Sequence, residues 1–231
     1  MSLLSTLPGN LAQAGPEDVD GVGNYVVEVL AAGSSQHSAL TLYFLDTHAY
    51  SPDEDKHPGY DWLKQNQIDW FKETAQSLKA RNAKYSHIHL DFAFIHIPLP
   101  EYVDQENILA GGESREGVTA PSVNTGFYTA LKEEGVVAVG CGHDHVNDYC
   151  ALHPKSDQEK SLGPWMCYAG GSGFGGYGGY GGYHRRLRVW EVDANAGRVT
   201  TWTRLECCGK DTEKKHNELL IVDGGKVVSP A

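Results

Sequence analysis

Two histidines two residues apart, His143 and His145, sit in the segment Val139-Gly-Cys-Gly-His-Asp-His145. An apolar run ends there in a turn flanked by Gly140 and Gly142, residues that permit a sharp reversal. Imidazole is the commonest neutral metal ligand and suits zinc, iron and manganese. Alternate residues of a strand share a face, and in a glycine-relieved turn both rings can converge on one point. His96, in Phe94-Ile-His-Ile-Pro-Leu-Pro-Glu-Tyr102, stands where a second apolar run exits into a loop. Pro98 and Pro100 cannot continue a central ladder. Ligands of α/β sheets gather at strand ends, so His96, His143 and His145 form a candidate set of metal-ligating imidazoles. His48, in Leu45-Asp-Thr-His-Ala-Tyr-Ser51, is a weaker candidate, because Asp46 and Thr47 read as turn formers. His87 and His89 lie earlier in the strand of His96 and read as packed or edge side chains.

These histidines need elements to hold them. Residues 25–31 and 40–45 are short, rich in Val, Leu, Tyr and Phe, and read as a hairpin across the turn-like residues 33–36. In residues 61–81, Ile68, Phe71, Ala75 and Leu78 recur at steps of three and four, an amphipathic helix. Residues 87–96 read as a buried strand, 111–121 as a loop, and 124–134 as a second helix ended by Gly135. The continuous apolar run 136–141 suits a strand covered on both faces. Strand, helix, strand, helix, strand implies layered α/β packing. Residues 170–183 are a low-complexity tract with nine glycines and four aromatics. It reads as a surface loop, or as backbone approaching something closely with tyrosines lining it. The C-terminal segment 187–228 is β-rich and is broken by the hairpin turn Asp223-Gly-Gly225.

Composition narrows the partners. Nineteen Lys and Arg against thirty Asp and Glu leave a formal charge of -11, so a nucleic-acid backbone is not an expected partner. No apolar run reaches the roughly 18 residues that span a bilayer, so no membrane partner is expected. The opening residues show neither a basic n-region nor a long apolar h-region, and a cytoplasmic location is the expectation. The five cysteines, 141, 150, 167, 207 and 208, are odd in number and form no Cys-x-x-Cys. Cys141 and Cys167 read first as small buried hydrophobes, while a Cys150–Cys167 bridge is compatible with the sequence.

The segments FIHIPLPEY and GCGHDHVNDYC, with LDTHAYS and WLKQNQIDWF upstream, resemble the calcineurin-like metallophosphoesterases. Within that superfamily they look like the fungal and plant branch related to purple acid phosphatases. The resemblance runs from about Leu4 to about Asp193. It implies a two-metal phosphoesterase in a four-layer αββα sandwich. His96 and His143 would bind one metal and His145 the other, with Fe, Zn or Mn as the ions. Two cations clamp a phosphate, activate a water and neutralise the leaving oxygen. The substrate would be a phosphorylated small molecule or a phosphoprotein.

The pattern is incomplete. The family's Asp-x-His, bridging Gly-Asp and catalytic Gly-Asn-His all precede the segment that Leu4 begins here. No Gly-Asp or Gly-Asn-His occurs before His96. Asp46-Thr-His48 has the Asp-x-His form but lies downstream of Leu4, and is read as a turn. The expectation is an α/β chain whose residues 1–231 are a single incomplete domain with its N-terminal portion missing. It holds metal ligands, contains no catalytic residue of its own and is inactive alone. The alternative is a non-catalytic remnant or binding protein on the same scaffold.

Overall fold

A computed structural model describes residues 3–33, 37–154, 161–175, 177, 182–206 and 213–230. In chain order its strands are β1 (Tyr25–Leu30), β2 (Ser38–Phe44), β3 (Leu90–Phe94), β4 (Ile108–Ala110), β5 (Ala138–Cys141), β6 (Cys150–Leu152), β7 (Trp165–Tyr168), β8 (Arg186–Asp193), β9 (Arg198–Leu205), β10 (His216–Asp223) and β11 (Lys226–Val227). The helices are α1 (Gln65–Asn82) and α2 (Phe127–Glu133). Seven strands form one sheet in the order β1-β2-β3-β5-β7-β6-β4, and four form a second in the order β11-β10-β9-β8. The centre of the larger sheet, from β2 through β3 and β5 to β7, is parallel. Its two flanks and the whole second sheet are antiparallel.

Burial follows from that order. One face of the large sheet is covered by the helices. Ile68, Phe71 and Ala75 of α1 and Leu131 of α2 pack on Tyr43, Ala93, Val139 and Met166. The other face meets the second sheet, where Leu90, Phe92, Ala138, Leu152 and Trp165 pack on Val199, Ile221 and Val222. Every residue of β5 and β7 is therefore buried, as a central parallel strand requires. Helix, sheet, sheet makes three layers among the described residues. The outer face of the second sheet leaves Leu187 and Leu220 exposed at 49% and 41%.

Element ends differ from the expected ones for local reasons. α1 begins at Gln65 rather than 61, because Lys64 is extended and its backbone N–H is taken by the Gln67 side chain at 2.8 Å. β3 begins at Leu90 because the rings of His87 and His89 both turn to the carbonyl of Ser38, at 3.0 and 2.8 Å. β4, β6 and β7 are three or four residues long, too short to show a period. Residues 4–6 form one 3-10 turn. The turn residues 34–36, the cysteines 207 and 208, and residues 176 and 178–181 of the Gly/Tyr tract lie outside the described residues. No helix among the described residues is long and apolar enough to cross a membrane.

Three cross-links brace the elements around the turn that follows β5. Cys150 and Cys167 face each other across β6 and β7 and are joined as a disulfide, while Cys141 is free and buried. The buried Arg188 guanidinium donates to the carbonyls of Tyr168 at 2.7 Å and Gly111 at 3.3 Å, to that of Asp148, and to the Thr201 hydroxyl at 3.1 Å. It thus ties the edge of the second sheet to the loops of the first. Burial lowers its pKa to about 10, leaving it charged at neutral pH. Arg186 pairs with the fully buried Asp148 at 2.8 Å.

Candidate metal centre

His96 lies two residues beyond β3, and neighbouring loops fix its backbone. Its N–H and that of Ile97 both donate to the Thr47 hydroxyl oxygen, at 3.3 and 2.9 Å. Its carbonyl accepts from Gly142 N at 3.1 Å, which fastens the exit of β5 to the exit of β3. The close approach requires glycine. A Cβ on Gly140 would stand 2.9 Å from the Phe94 ring, and one on Gly142 would stand 3.3 Å from His96 Nδ1.

The turn after β5 then aims the paired histidines. His143 has φ 74, the left-handed region, so the His-Asp-His segment is a turn and not a continuing strand. The His143 ring meets the His96 ring edge-on, with centroids 5.3 Å apart. Tyr60 also packs edge-on with His143, centroids 4.3 Å apart. His145 lies face to face with Tyr177, centroids 3.9 Å apart and planes 8° from parallel. His96 is exposed, and His143 and His145 are half-buried. Partial burial of its ring, and then the nearby His145, lower the pKa of His96. Burial also lowers that of His143; Asp144 opposes the shift, and His96 and His145 reinforce it. Both rings are therefore neutral at pH 7, the form with a lone pair to give a cation.

The carboxylates near these rings are committed elsewhere. Asp144, between the two histidines, is 3% exposed and turned into the core. It accepts from Tyr168 Oη at 2.5 Å, Thr119 N at 3.2 Å and the Thr119 hydroxyl. Asp46 accepts from the N–H groups of Val22 and His48, both within 2.9 Å. The His48 ring is held by Gln67 at 2.9 Å, and Gln67 also donates to Asn24 and to the Asp46 carbonyl. Asp46-Thr-His48 is thus a turn braced by α1. His87 and His89 lie at the other end of β3 and are bonded to Ser38.

The fold brings the His96 and His143 rings together, with His145 near enough to lower the pKa of both. Among the described residues, no three His, Cys, Asp or Glu side chains form a ready cage for an ion. The donors suit a soft or borderline cation in type. In charge they suit one cation better than two, because Asp144 and Glu116, the carboxylates that act on His143, are engaged by neighbouring N–H and O–H groups. Sequence reasoning missed Thr47, Tyr60, Tyr177 and Glu116. Only Tyr177, in the aromatic-glycine tract, carried a local signal.

No protein-family profile matches the chain. Phosphatase DCR2 of Saccharomyces cerevisiae is 40% identical over 221 residues, covering 90% of this chain and 36% of the yeast protein. The Arabidopsis thaliana protein named "Probable inactive purple acid phosphatase 29" is 39% identical over 229 residues, covering 89% of this chain and 56% of its own. A second plant protein, named "Probable inactive purple acid phosphatase 14", is 34% identical over 230 residues, covering 89% and 55%. The chain belongs to the purple acid phosphatase-related metallophosphoesterases. It spans about a third of the yeast relative and about half of each plant relative. Two of these three relatives carry the word inactive in their names.

Proposed function

We propose that this chain supplies part of a metal-dependent phosphoesterase centre acting on phosphorylated small molecules or phosphoproteins. His96, His143 and His145 are its imidazole donors, and the remaining ligands come from polypeptide outside residues 1–231. The observation that carries this reading is the pair of adjoining strand exits. There, two neutral imidazoles stand 5.3 Å apart beside a third. Iron, zinc or manganese bound there would act as Lewis acids toward a phosphate oxygen and lower the pKa of a bound water. The chain's own side chains do the holding. Thr47 and Gly142 fix His96, Tyr60 backs His143, and Tyr177 lies along His145.

The second sheet supports a larger, four-layer sandwich. β8 pairs with β9 on one side, and its other edge has no strand partner among the described residues. Beside that edge a slot of about 330 Å³ opens between the sheets, with Phe94, Cys167, Ala169 and Trp190 in its walls. An added strand along β8 would fill the slot and pair the edge. That strand would also arrive beside Gly142, close to the histidines.

A second reading, a binding protein on the same scaffold without catalysis, is favoured by the relatives named inactive and by the engagement of Asp144 and Glu116 with other partners. Calorimetric zinc and manganese titrations of the chain, of His143→Ala and of an upstream-extended form decide between them. The expected result is one weak site in the chain, lost in His143→Ala. An unchanged isotherm in that variant would remove the metal reading. Metal binding by the extended form without turnover of p-nitrophenyl phosphate would select the second reading.

A further inference from the structure

We infer that Tyr177 is a positioning residue for His145: it selects the Nδ1–H tautomer of the neutral imidazole and holds the ring so that Nε2 presents its lone pair. This rests on reading His145 as a metal donor and adds the device that orients the donor.

Three contacts carry the inference. The Tyr177 backbone carbonyl lies 2.7 Å from His145 Nδ1. A carbonyl oxygen only accepts, so Nδ1 must carry the proton, and Nε2 is left as the free donor atom. This is the tautomer that free neutral histidine disfavours, so its selection requires the carbonyl to stay in place. The stacked rings, 3.9 Å apart and 8° from parallel, keep it there. The Tyr177 hydroxyl locks the other end by accepting from His145 N at 2.8 Å. Its single proton has two acceptors in reach, Glu116 Oε1 at 3.0 Å and the His143 carbonyl at 3.3 Å. The nearer, charged carboxylate is the stronger acceptor. Glu116 Oε1 also takes Val146 N at 2.8 Å, so phenol, carboxylate and the turn carrying His145 form one unit.

The aromatic-glycine tract acquires a specific role from these contacts. Gly171 N donates to the His145 carbonyl at 2.8 Å, and a Cβ on Gly171 would stand 2.9 Å from His145 Cβ. Glycine at 171 lets its own backbone lie against the turn, and the Tyr177 ring covers that of His145. An imidazole donor whose other nitrogen bonds a backbone carbonyl is a common supporting arrangement for a ligand, and its loss costs about 10–100-fold in metal affinity.

The test compares the full chain with Tyr177→Ala, Tyr177→Phe and His145→Gln. Long-range proton–nitrogen NMR without metal reads the His145 tautomer, and a zinc titration reads affinity. The native chain should show Nδ1–H. Tyr177→Ala should move His145 toward Nε2–H and weaken zinc by about 10–100-fold, while Tyr177→Phe, which keeps the stacking ring, should retain most of both. Should Tyr177→Ala lose its native circular dichroism, Tyr177→Leu replaces it as a bulky side chain without a stacking ring. An unchanged tautomer after removal of the ring would overturn the inference. A tautomer that follows Tyr177 while His145→Gln leaves zinc affinity intact would uphold the positioning and remove His145 as a donor.

Discussion

The hydroxyl oxygen of Thr47 accepts from the backbone N–H groups of both His96 and Ile97, at 3.3 and 2.9 Å. One side chain just past β2 thereby sets where the chain leaves β3. Thr47→Val keeps the shape and removes the acceptor, stranding two N–H groups in a site that is 5% exposed. The expected cost is about 1–3 kcal/mol by denaturant titration, together with weaker zinc binding through a displaced His96. Native stability in the variant would show that water replaces the hydroxyl.

Turnover by residues 1–231 alone should be absent. On the proposed reading three imidazoles supply ligands, and among the described residues no side chain beside them is placed as a bridging carboxylate or as an acid for the leaving group. Loss of a single preorganised electrostatic group costs on the order of 10²–10³ in rate, and here several are lacking. Phosphatase assays with zinc, manganese or iron should match a His143→Ala control. Rates that depend on His143 in this chain would mean that groups such as Asp46 with His48, or Asp144, have taken over the missing roles.

The pairing of Arg186 with Asp148 is buried, with side chains 8% and 0% exposed. Asp148 also accepts from Glu113 N at 2.7 Å. Asp148→Ala leaves an uncompensated guanidinium between the sheets and should cost about 3–5 kcal/mol. A loss below about 1 kcal/mol would place this pair in the range of solvent-screened surface bridges.

Glu134 gives a pH dependence. Its carboxylate accepts from Gln76 and Lys79 of α1, each at 2.7 Å. Burial pushes its pKa up, but the hydrogen bonds and charge from Lys79 and Gln76 outweigh that and leave it lowered. A lowered folded pKa means that this contribution is complete above the unfolded carboxylate value, about 4.3, and is lost as pH falls through the folded value. Glu134→Gln should therefore cost about 1 kcal/mol at pH 7 for a half-exposed lysine partner. The gap from the native chain should close in acid. A gap independent of pH would assign the effect to shape.

The open edge of β8, the slot beside it, and exposed Leu187 and Leu220 predict that the isolated chain binds hydrophobic dyes in its native state. An upstream-extended form should bind less. Equal dye binding by both forms would show that the slot is not where added polypeptide packs.

The amino-acid order by itself marked most of the elements and singled out the three candidate histidines. Ile68, Phe71 and Ala75 reveal α1 because one side of a helix must be apolar. Val136 to Cys141 reads as a buried strand because every residue is apolar. The glycines and prolines after residues 94 and 139 mark strand exits through backbone restrictions that act within a few residues. These signals are local, so they survive without the fold. β4, β6 and β7 were hidden because three or four residues show no period, and they are strands only because neighbours supply their hydrogen bonds. The same limit applies at the site. That Thr47 meets His96 across 49 residues, that Tyr177 covers His145 across 32, and that Asp144 turns inward to Tyr168 were decided by tertiary structure alone. A side-chain hydrogen bond depends on where two backbones stop relative to each other, and that position is set by the packing of the sheets and helices between them.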